Sequence, residues 1–252
     1  MTVELVDVNA ENVEKLGFYC YRSKKKKPGY TEKMTWIQAR FDEGMRVRLL
    51  YLDGKLCGMV EAVPGTHAWR AVHAPNHLVI HCMYVMGRYQ GQGYGVRLIE
   101  SCLDDARQLD LAGVAVVVGE NSILPDRGPF DRAGFTAIDQ TPDGFELLAL
   151  PVNGGSGETA HFPTDWEARA AQWDTGLVTM HSPQCPYQAD SIDAVAAFGA
   201  DRGIPTQAVE LTSAADVQTR APSPYGVFSV LHEGRVIAHR PVDQRDLQRL
   251  LP

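Results

Sequence analysis

Residues 88–95 read RYQGQGYG and place three glycines, Gly91, Gly93 and Gly95, within five positions. An apolar, β-prone run precedes them (77–86, HLVIHCMYVM), and apolar residues recur at spacings of three and four after them (96–111). This pattern predicts a strand, a glycine loop and a helix. The first N–H groups of a helix have no acceptor inside the helix and, together with its dipole, attract anions. We therefore expect the loop to hold a phosphate group, a simple tight turn being the alternative.

Two common phosphate-binding patterns do not fit this loop. A dinucleotide-binding unit needs GxGxxG near the start of a βαβ unit, but the spacing here is GxGxG and the loop comes late in the chain. A P-loop needs Lys-Ser or Lys-Thr after the glycines, and neither dipeptide follows. The sequence thus excludes both nucleotide-binding classes for this segment.

The bulk composition is that of a globular protein. The 252 residues are 44% hydrophobic and carry a formal net charge of −7, which argues against a general nucleic-acid coat. The first residues lack a basic stretch before an apolar core, and no apolar run reaches about 20 residues, so we expect a cytoplasmic protein without a membrane segment. Five widely spaced cysteines without a CxxC pair predict reduced thiols and no metal site.

The order of predicted elements divides the chain into two domains. We expect one domain over 1–150, a Gly- and Pro-rich linker over 151–164, and a second domain over 165–252. In the second domain the predicted order is strand, helix, strand, hairpin and helix, which is the order of the thioredoxin fold. Tight hairpins are predicted at Asp53-Gly54 and at Glu233-Gly234.

The glycine loop resembles the Q/R-x-x-G-x-G/A signature of the GNAT N-acyltransferases, through Gln90, Gly93 and Gly95. The segment GPFDRAGF (128–135) resembles a later helix of that family. The resemblance implies an α/β (α+β) fold with a mixed central sheet, and acetyl-CoA or another acyl-CoA as co-substrate without a metal. It also implies a backbone N–H near Val85 that polarises the thioester. The implied donor-binding residues are Val85, Met86, Gln90, Gly91, Gln92, Gly93, Tyr94 and Gly95.

A narrower resemblance spans nearly the entire chain. GNAT proteins with a C-terminal YoaP-like domain carry a pattern that this sequence matches at Glu61, Pro64, Ala68, Trp69, Ala74, Cys82, Val85 and residues 91–94. This resemblance implies that a smaller, thioredoxin-like domain follows the GNAT domain. One departure from the wider family is Phe130, which stands where many members have a tyrosine that protonates the departing thiolate.

The candidate catalytic residues lie on the two strands that lead to the glycine loop. Acyl transfer to an amine needs a base, and Glu61 on an apolar strand is one candidate, an edge position facing solvent being the alternative. His81 and Tyr84 are candidate acids or bases, and Cys82 is a candidate whose alternative role is packing. We expect His81 and Tyr84 to face opposite sides of their strand.

The second domain contains a candidate thiol site. Cys185 precedes a predicted helix in CPYQ, which resembles a glutaredoxin CPYC motif with Gln188 in place of the second cysteine. A dithiol mechanism is therefore excluded, whereas monothiol exchange or a docking role stays open. The resemblance to the YoaP-like domain implies that Pro224 follows a cis peptide bond.

A basic run supplies a third candidate interaction. All seven lysines lie within the first 55 residues, and Lys24, Lys25, Lys26 and Lys27 are consecutive. They form a solvated loop or contact phosphates of CoA or tRNA. The sequence thus predicts an enzyme that transfers an acyl group, by default acetyl, from acyl-CoA to a small-molecule amine. The alternatives are aminoacyl transfer from aminoacyl-tRNA and a non-catalytic CoA- or thiol-binding module.

Overall fold

The computed structural model describes residues 2–119, 123–154 and 159–252. The chain forms two compact units. The first contains residues 1–22, 37–68 and 72–162, and the second contains residues 23–36, 69–71 and 163–252. Two segments that the sequence assigns to the first domain thus group with the second unit. Residues 155–158 of the predicted linker lie outside the described residues.

The described elements up to residue 151 alternate between strands and short helices. Three 3₁₀ turns, Phe41–Glu43, Gly65–His67 and Gly87–Tyr89, join some of them. The helix α2 begins in the second unit and ends in the first. The strands and helices are β1 (Val3–Val8), α1 (Val13–Leu16), α2 (Pro28–Arg40), β2 (Arg46–Leu52), β3 (Lys55–Pro64), β4 (His77–Val85), α3 (Tyr94–Gln108), β5 (Gly113–Gly119), α4 (Arg127–Ala133), β6 (Thr136–Gln140) and β7 (Phe145–Pro151).

The first unit is built on a seven-stranded sheet in the order β1-β2-β3-β4-β5-β7-β6. The β4–β5 pair is parallel, and the other neighbouring pairs are antiparallel. The sheet is therefore mixed, as the resemblance to the GNAT family implies. Asp53 and Gly54 join β2 to β3 with φ values of 46° and 73°, and this pair of positive angles is the turn that a two-residue hairpin favours.

The core of the first unit lies between the sheet and the helices α3 and α4. Leu98, Ile99 and Cys102 on α3 are fully buried with Val114 and Val116 of β5. The predicted buried strand over 113–119 is thus confirmed, and it supports the helix that follows the glycine loop. Because β5 has neighbours on both edges and apolar cover, it needs no alternation of polar residues.

The second unit contains a four-stranded sheet in the order β11-β10-β8-β9, in which β8 and β9 are parallel. The other neighbouring pairs are antiparallel, and the predicted hairpin at Glu233-Gly234 joins β10 to β11. The elements are α5 (Trp166–Ala171), β8 (Leu177–His181), α6 (Ala189–Arg202), β9 (Thr206–Glu210), α7 (Ala214–Arg220), β10 (Phe228–His232), β11 (Arg235–Ala238) and α8 (Gln244–Leu250).

The prediction of a cis peptide bond before Pro224 is wrong. The described residues contain no cis peptide bond. The trans form of an X–Pro bond is favoured by about 0.5–1 kcal/mol unless tertiary contacts oppose it, so the motif alone does not determine the isomer.

Candidate functional site

The strands β4 and β5 diverge beside the predicted catalytic residues. They pair from His77 and Gly113 as far as Ile80 and Val116, and no further pair joins them in the described part of the chain. The register between β3 and β4 shifts at the same level, so that Glu61 lies opposite Cys82, Ala62 lies opposite Ile80, and His81 is the extra residue. A bulge of this kind bends the strand. The main chain of residues 81–85 therefore has an edge that β5 does not cover.

The main-chain N–H groups of Val85 and Met86 point to opposite edges of β4. Met86 donates its N–H to the carbonyl oxygen of Cys57 at 2.8 Å, so this group is engaged with the β3 side. Because N–H groups of successive strand residues point to opposite edges, the N–H of Val85 points away from β3. Val85 also accepts a hydrogen bond on its carbonyl oxygen from Gln90 Nε2 at 2.9 Å. Val85 thus supplies the N–H at the open edge, and any donor contact of Met86 would use other atoms.

The glycine loop joins this edge to the N-terminus of α3. Gly91 and Gly93 have φ values of 74° and 86°, and Gly93 is the N-cap residue of α3. A Cβ atom at either position would meet no atom within 4 Å. Their conformation, rather than crowding, therefore requires glycine, and the space above the loop is open. The first N–H groups of α3 face the same end of the helix and have no acceptor within it.

The remaining loop residues fix the position of the helix. A Cβ atom at Gly95 would lie 3.2 Å from Cβ of Pro129, so glycine here allows α3 and α4 to approach closely. Gln92 donates from Nε2 to the carbonyl oxygen of Arg88 at 3.1 Å, which closes the preceding turn. Tyr94 is half-buried against the core. These contacts hold the exposed amides of the loop in one arrangement.

Glu61 is fully buried. It lies on β3, which has β2 on one side and β4 on the other. The alternative interpretation of Glu61, an edge position facing solvent, is therefore wrong. Charged side chains are seldom fully buried without a partner or a chemical role. The structure brings Glu61, His81 and Cys82 together at the bulge, where His81 is 1% exposed and Cys82 is half-buried.

Tyr84 lies beyond the bulge and pairs with a tyrosine that no sequence pattern singles out. Its ring centroid is 4.9 Å from that of Tyr19, the two side chains are hydrogen-bonded, and Tyr84 is 43% exposed. Burial, followed by the charge of and hydrogen bond to Tyr84, raises the pKa of Tyr19. Tyr19 precedes α2 in an irregular segment, where no period or motif identifies it. The pair places two phenol groups beside the open edge of β4.

Phe130 has no access to this edge. Its side chain is fully buried in the core, and its ring meets that of Phe135 edge-on at 5.3 Å between centroids. The position that carries a tyrosine in many members of the resembled family is thus a packing position here.

Cys185 lies in the second unit, in the loop between β8 and α6, and is half-buried. Burial raises the pKa of its thiol, against the opposing effects of the Tyr187 backbone, Lys33, the Tyr225 side chain and Arg70. Lys33 and Arg70 are far from Cys185 in sequence, so no local motif indicates them. Pro224 is also buried in this unit, next to Tyr225.

Two lysines of the basic run have partners within the second unit. Lys27 forms an ion pair with Asp190 at 3.2 Å, and Lys25 lies over the ring of Tyr30 at 5.8 Å from its centroid. Exposed pairs of this kind contribute little stability, about 0–1 kcal/mol each. They nevertheless give the run a structural role besides that of a solvated loop.

No helix among the described residues is long and apolar enough to cross a membrane. Within the same residues, no group of three or more His, Cys, Asp or Glu side chains could hold a metal ion.

Comparison with known proteins finds a family model that is similar to the segment containing the glycine loop. A model of the acetyltransferase (GNAT) family matches residues 12–125. A protein described as "Uncharacterized N-acetyltransferase YoaP" from Bacillus subtilis (strain 168) is 28% identical over 249 residues, which are 98% of this chain and 97% of that protein.

Solved acetyltransferase structures also match. The PaiA N-acetyltransferase of Thermoplasma acidophilum, in complex with coenzyme A, is 16% identical over 60% of this chain and 100% of its own, with a TM-score of 0.44. An acetyltransferase from Thermus thermophilus is 19% identical over 60% of this chain and 98% of its own, with a TM-score of 0.41. The family match covers the diverging strands, the glycine loop and α3.

Proposed function

We propose that the first unit transfers an acyl group, by default acetyl, from acyl-CoA to the amine of a small molecule. The observation that carries this proposal is the open glycine loop at the start of α3, next to the point where β4 leaves β5. Together they offer amides for a pyrophosphate and a free strand edge for an extended, amide-bearing chain.

The residues present fit such a donor. Gly91 and Gly93 have positive φ angles, and the space that their Cβ atoms would occupy is open, so no side chain stands in the way of a phosphate. When bound, acyl-CoA would supply an activated thioester. The amides of residues 90–95 would hold its phosphates, and the N–H of Val85 would donate to the thioester oxygen.

We assign the proton transfers to the residues around the bulge in β4. An amine must lose a proton to attack a carbonyl carbon, and Glu61 and His81 are the buried groups able to accept it. Tyr84 is exposed beside the same edge and can donate a proton to a departing thiolate, with Tyr19 holding its hydroxyl through their hydrogen bond. Cys82 lies opposite Glu61, next to the bulge in β4.

Calorimetric titration of CoA into Gly93→Ala and Gly144→Ala variants tests the donor site. Both glycines have φ near 85° and open space around the missing Cβ, but Gly144 lies in the turn before β7. Alanine should strain each backbone by about 1–2 kcal/mol. We expect CoA affinity to fall about tenfold or more in Gly93→Ala and to stay unchanged in Gly144→Ala.

Failure of the wild-type protein to bind CoA, with salt-sensitive binding of tRNA instead, would overturn this assignment of the donor. Aminoacyl-tRNA as donor, with contacts from Lys24, Lys25, Lys26 and Lys27, stays a prediction that none of the described contacts favours. A non-catalytic CoA-binding module predicts CoA binding without turnover of any amine in a broad panel.

We further propose that the second unit is a thioredoxin-like domain and that the protein works in the cytoplasm. The sheet order β11-β10-β8-β9 and the succession of elements from β8 to α8 support the first proposal. Free cysteines at all five positions support a reducing compartment. We keep residues 1–150 and 165–252 as the proposed domain limits along the chain.

A further inference from the structure

An isolated antiparallel bridge in the first unit joins two histidines. His73 and His161 exchange two main-chain hydrogen bonds, each 2.9 Å between nitrogen and oxygen. In such a hydrogen-bonded pair the opposite side chains lie on the same face, with Cα atoms about 5.5 Å apart. The two imidazole rings accordingly lie side by side, 4.8 Å between centroids and tilted by 33°. The bridge thus brings together two histidines that are far apart in the sequence.

The main chain of this bridge is anchored, whereas both of its histidines are exposed. Phe162 donates its main-chain N–H to Oδ2 of Asp139 on β6 at 2.7 Å. The residues on either side of each histidine are buried; they are Val72, Ala74, Ala160 and Phe162. Successive side chains of an extended segment point to opposite faces. The buried neighbours therefore direct both imidazoles to solvent from a fixed backbone.

A hydrogen bond of His161 determines which of its ring nitrogens can bind an ion. Its Nδ1 lies 3.0 Å from the carbonyl oxygen of Phe162. Because a carbonyl oxygen only accepts, Nδ1 carries the proton of the neutral ring, and Nε2 has the lone pair. Histidines that ligate metal ions commonly donate their other ring N–H to a main-chain carbonyl, which sets the tautomer and orients the ring. His161 is thus prepared to offer Nε2 as a ligand.

The spacing of the two rings fits a shared metal ion. Zinc–nitrogen bonds of about 2.0–2.1 Å that meet at about 90–110° place the centroids of two bound imidazoles about 4.5–5.2 Å apart. The observed 4.8 Å lies within this range. Imidazole suits Zn²⁺ and the neighbouring first-row dications, and water can fill the remaining positions. Since closed structural zinc sites have four protein ligands, two histidines form a weaker, exchangeable site.

We propose that His73 and His161 chelate one late first-row transition-metal dication, such as Zn²⁺. This site is independent of acyl transfer. Because the two histidines lie far apart along the chain, the ion closes a long loop and clips residues 159–162 to residue 73 within the first unit. An ion that binds the folded chain better than the unfolded chain stabilises the folded chain. At a hundred times its dissociation constant, Zn²⁺ should raise the Tm of the first unit by about 5 °C.

Calorimetric titration of Zn²⁺ into the untagged, full-length protein tests the site. His73→Gln and His161→Gln each remove one ligand, and His67→Gln is the matched control. His67 is also exposed and lies in the 3₁₀ turn Gly65–His67. We expect the affinity for Zn²⁺ to fall about tenfold or more in each of the first two variants and to stay unchanged in the control. Mg²⁺ should not compete, because it prefers oxygen ligands.

Co²⁺ in place of Zn²⁺ separates this site from the five free cysteines. Thiolate ligation of Co²⁺ gives a near-ultraviolet charge-transfer band that imidazole ligation does not give, and we expect no such band at the tightest site. In NMR spectra of the wild type, Co²⁺ should shift the ring protons of His73 and His161 most. If a variant does not fold, these wild-type spectra decide. Absence of saturable Zn²⁺ binding, a thiolate band at the tightest site, or a loss of affinity in only one of the two histidine variants would overturn the proposal.

Discussion

At the residue scale, Phe130 stands where many members of the resembled family have a tyrosine that donates a proton. Its side chain is fully buried against Phe135, so a hydroxyl added there would enter the core rather than the open edge of β4. We expect Phe130→Tyr to lose about 1–3 kcal/mol of stability, because the new hydroxyl lacks a partner, and to gain no activity. Thermal unfolding and kcat for acyl transfer check this.

Phe135→Tyr is the matched control for this variant. It adds the same hydroxyl to the other ring of the pair, 4% exposed, where no acid is proposed. A rise of kcat in Phe130→Tyr without a rise in Phe135→Tyr would show that a catalytic acid can be restored at position 130.

Cys102 makes the free energy of unfolding depend on pH in the alkaline range. Burial, with the charge of Asp105, raises the pKa of this thiol from 9.0 to about 12. Below pH 9 the thiol is protonated in both states, so it adds no pH dependence. Above pH 9 the unfolded chain loses the proton while the folded chain keeps it, so the free energy of unfolding should fall with rising pH, by about 1.4 kcal/mol per unit for this group.

Urea denaturation at several pH values between 9 and 11, on wild type and Cys102→Ala, measures this dependence. The pKa of Cys57, Cys185 and Tyr19 is also raised, so some slope should remain in the variant. Identical slopes in the two proteins would contradict the effect of Cys102.

The role of a residue was predictable where a short local pattern indicates it. The open loop at Gly91 and Gly93, and the absence of a tyrosine at position 130, follow from short motifs. Tyr19, Lys33 and Arg70 could not be found in this way, because their contacts with Tyr84 and Cys185 join distant parts of the chain.

At the element scale, Arg48 connects two strands to the helix that begins at the glycine loop. From β2 it pairs with Asp7 of β1 at 2.7 Å, through Nε, and with Asp105 of α3, where one of its two contacts measures 2.8 Å. The Asp105 side chain is 4% exposed, whereas that of Asp7 is 72% exposed. Water can therefore replace the exposed Asp7 carboxylate as a partner of Arg48 more easily than the buried Asp105 carboxylate.

We expect Asp105→Asn to destabilise the protein by about 3–5 kcal/mol, because it leaves the partly buried Arg48 without its anionic partner on α3. Asp7→Asn should cost about 1 kcal/mol or less, since that pair is exposed. Urea denaturation of both variants compares them. Equal losses would contradict the view that Arg48 fixes α3 through the buried pair.

The elements themselves were largely predictable because each has local signals. The hairpin at Asp53-Gly54, the buried strand β5 and the helix after the glycine loop all follow from turn residues and periodicity. The bulge at His81 was not predictable, since it depends on how β3 and β4 pair and leaves the apolar pattern of β4 unchanged.

At the scale of the whole molecule, the second unit is assembled from three separate parts of the chain. Gly29, at the start of α2, packs so closely that a Cβ atom there would lie 2.2 Å from the carbonyl oxygen of Pro186. Gly226, with φ of 72°, packs against the main chain of Arg70 and Ala71. The sequence could not reveal this grouping, because composition and periodicity locate boundaries along the chain and not contacts across it.

We expect Gly29→Ala to weaken the second unit selectively, by about 1–3 kcal/mol, because the methyl group must displace the main chain at Pro186. Hydrogen exchange on the full-length protein should show faster exchange in β8 and α6 than in the wild type. Gly87→Ala, where a Cβ atom meets no atom within 4 Å, should leave these rates unchanged. Faster exchange confined to β2 and β3 would contradict this prediction.

The three-part construction of the second unit also has a consequence during synthesis on the ribosome. Residues 23–36 and 69–71 leave the exit tunnel long before residues 163–252 exist, and domains generally fold as units as they emerge. The side chains that are buried in the finished second unit therefore stay unfolded until the C-terminal strands are translated; they include Trp36, Trp69 and Lys33. A nascent chain halted after residue 162 should thus present apolar surface to chaperones that the finished protein hides.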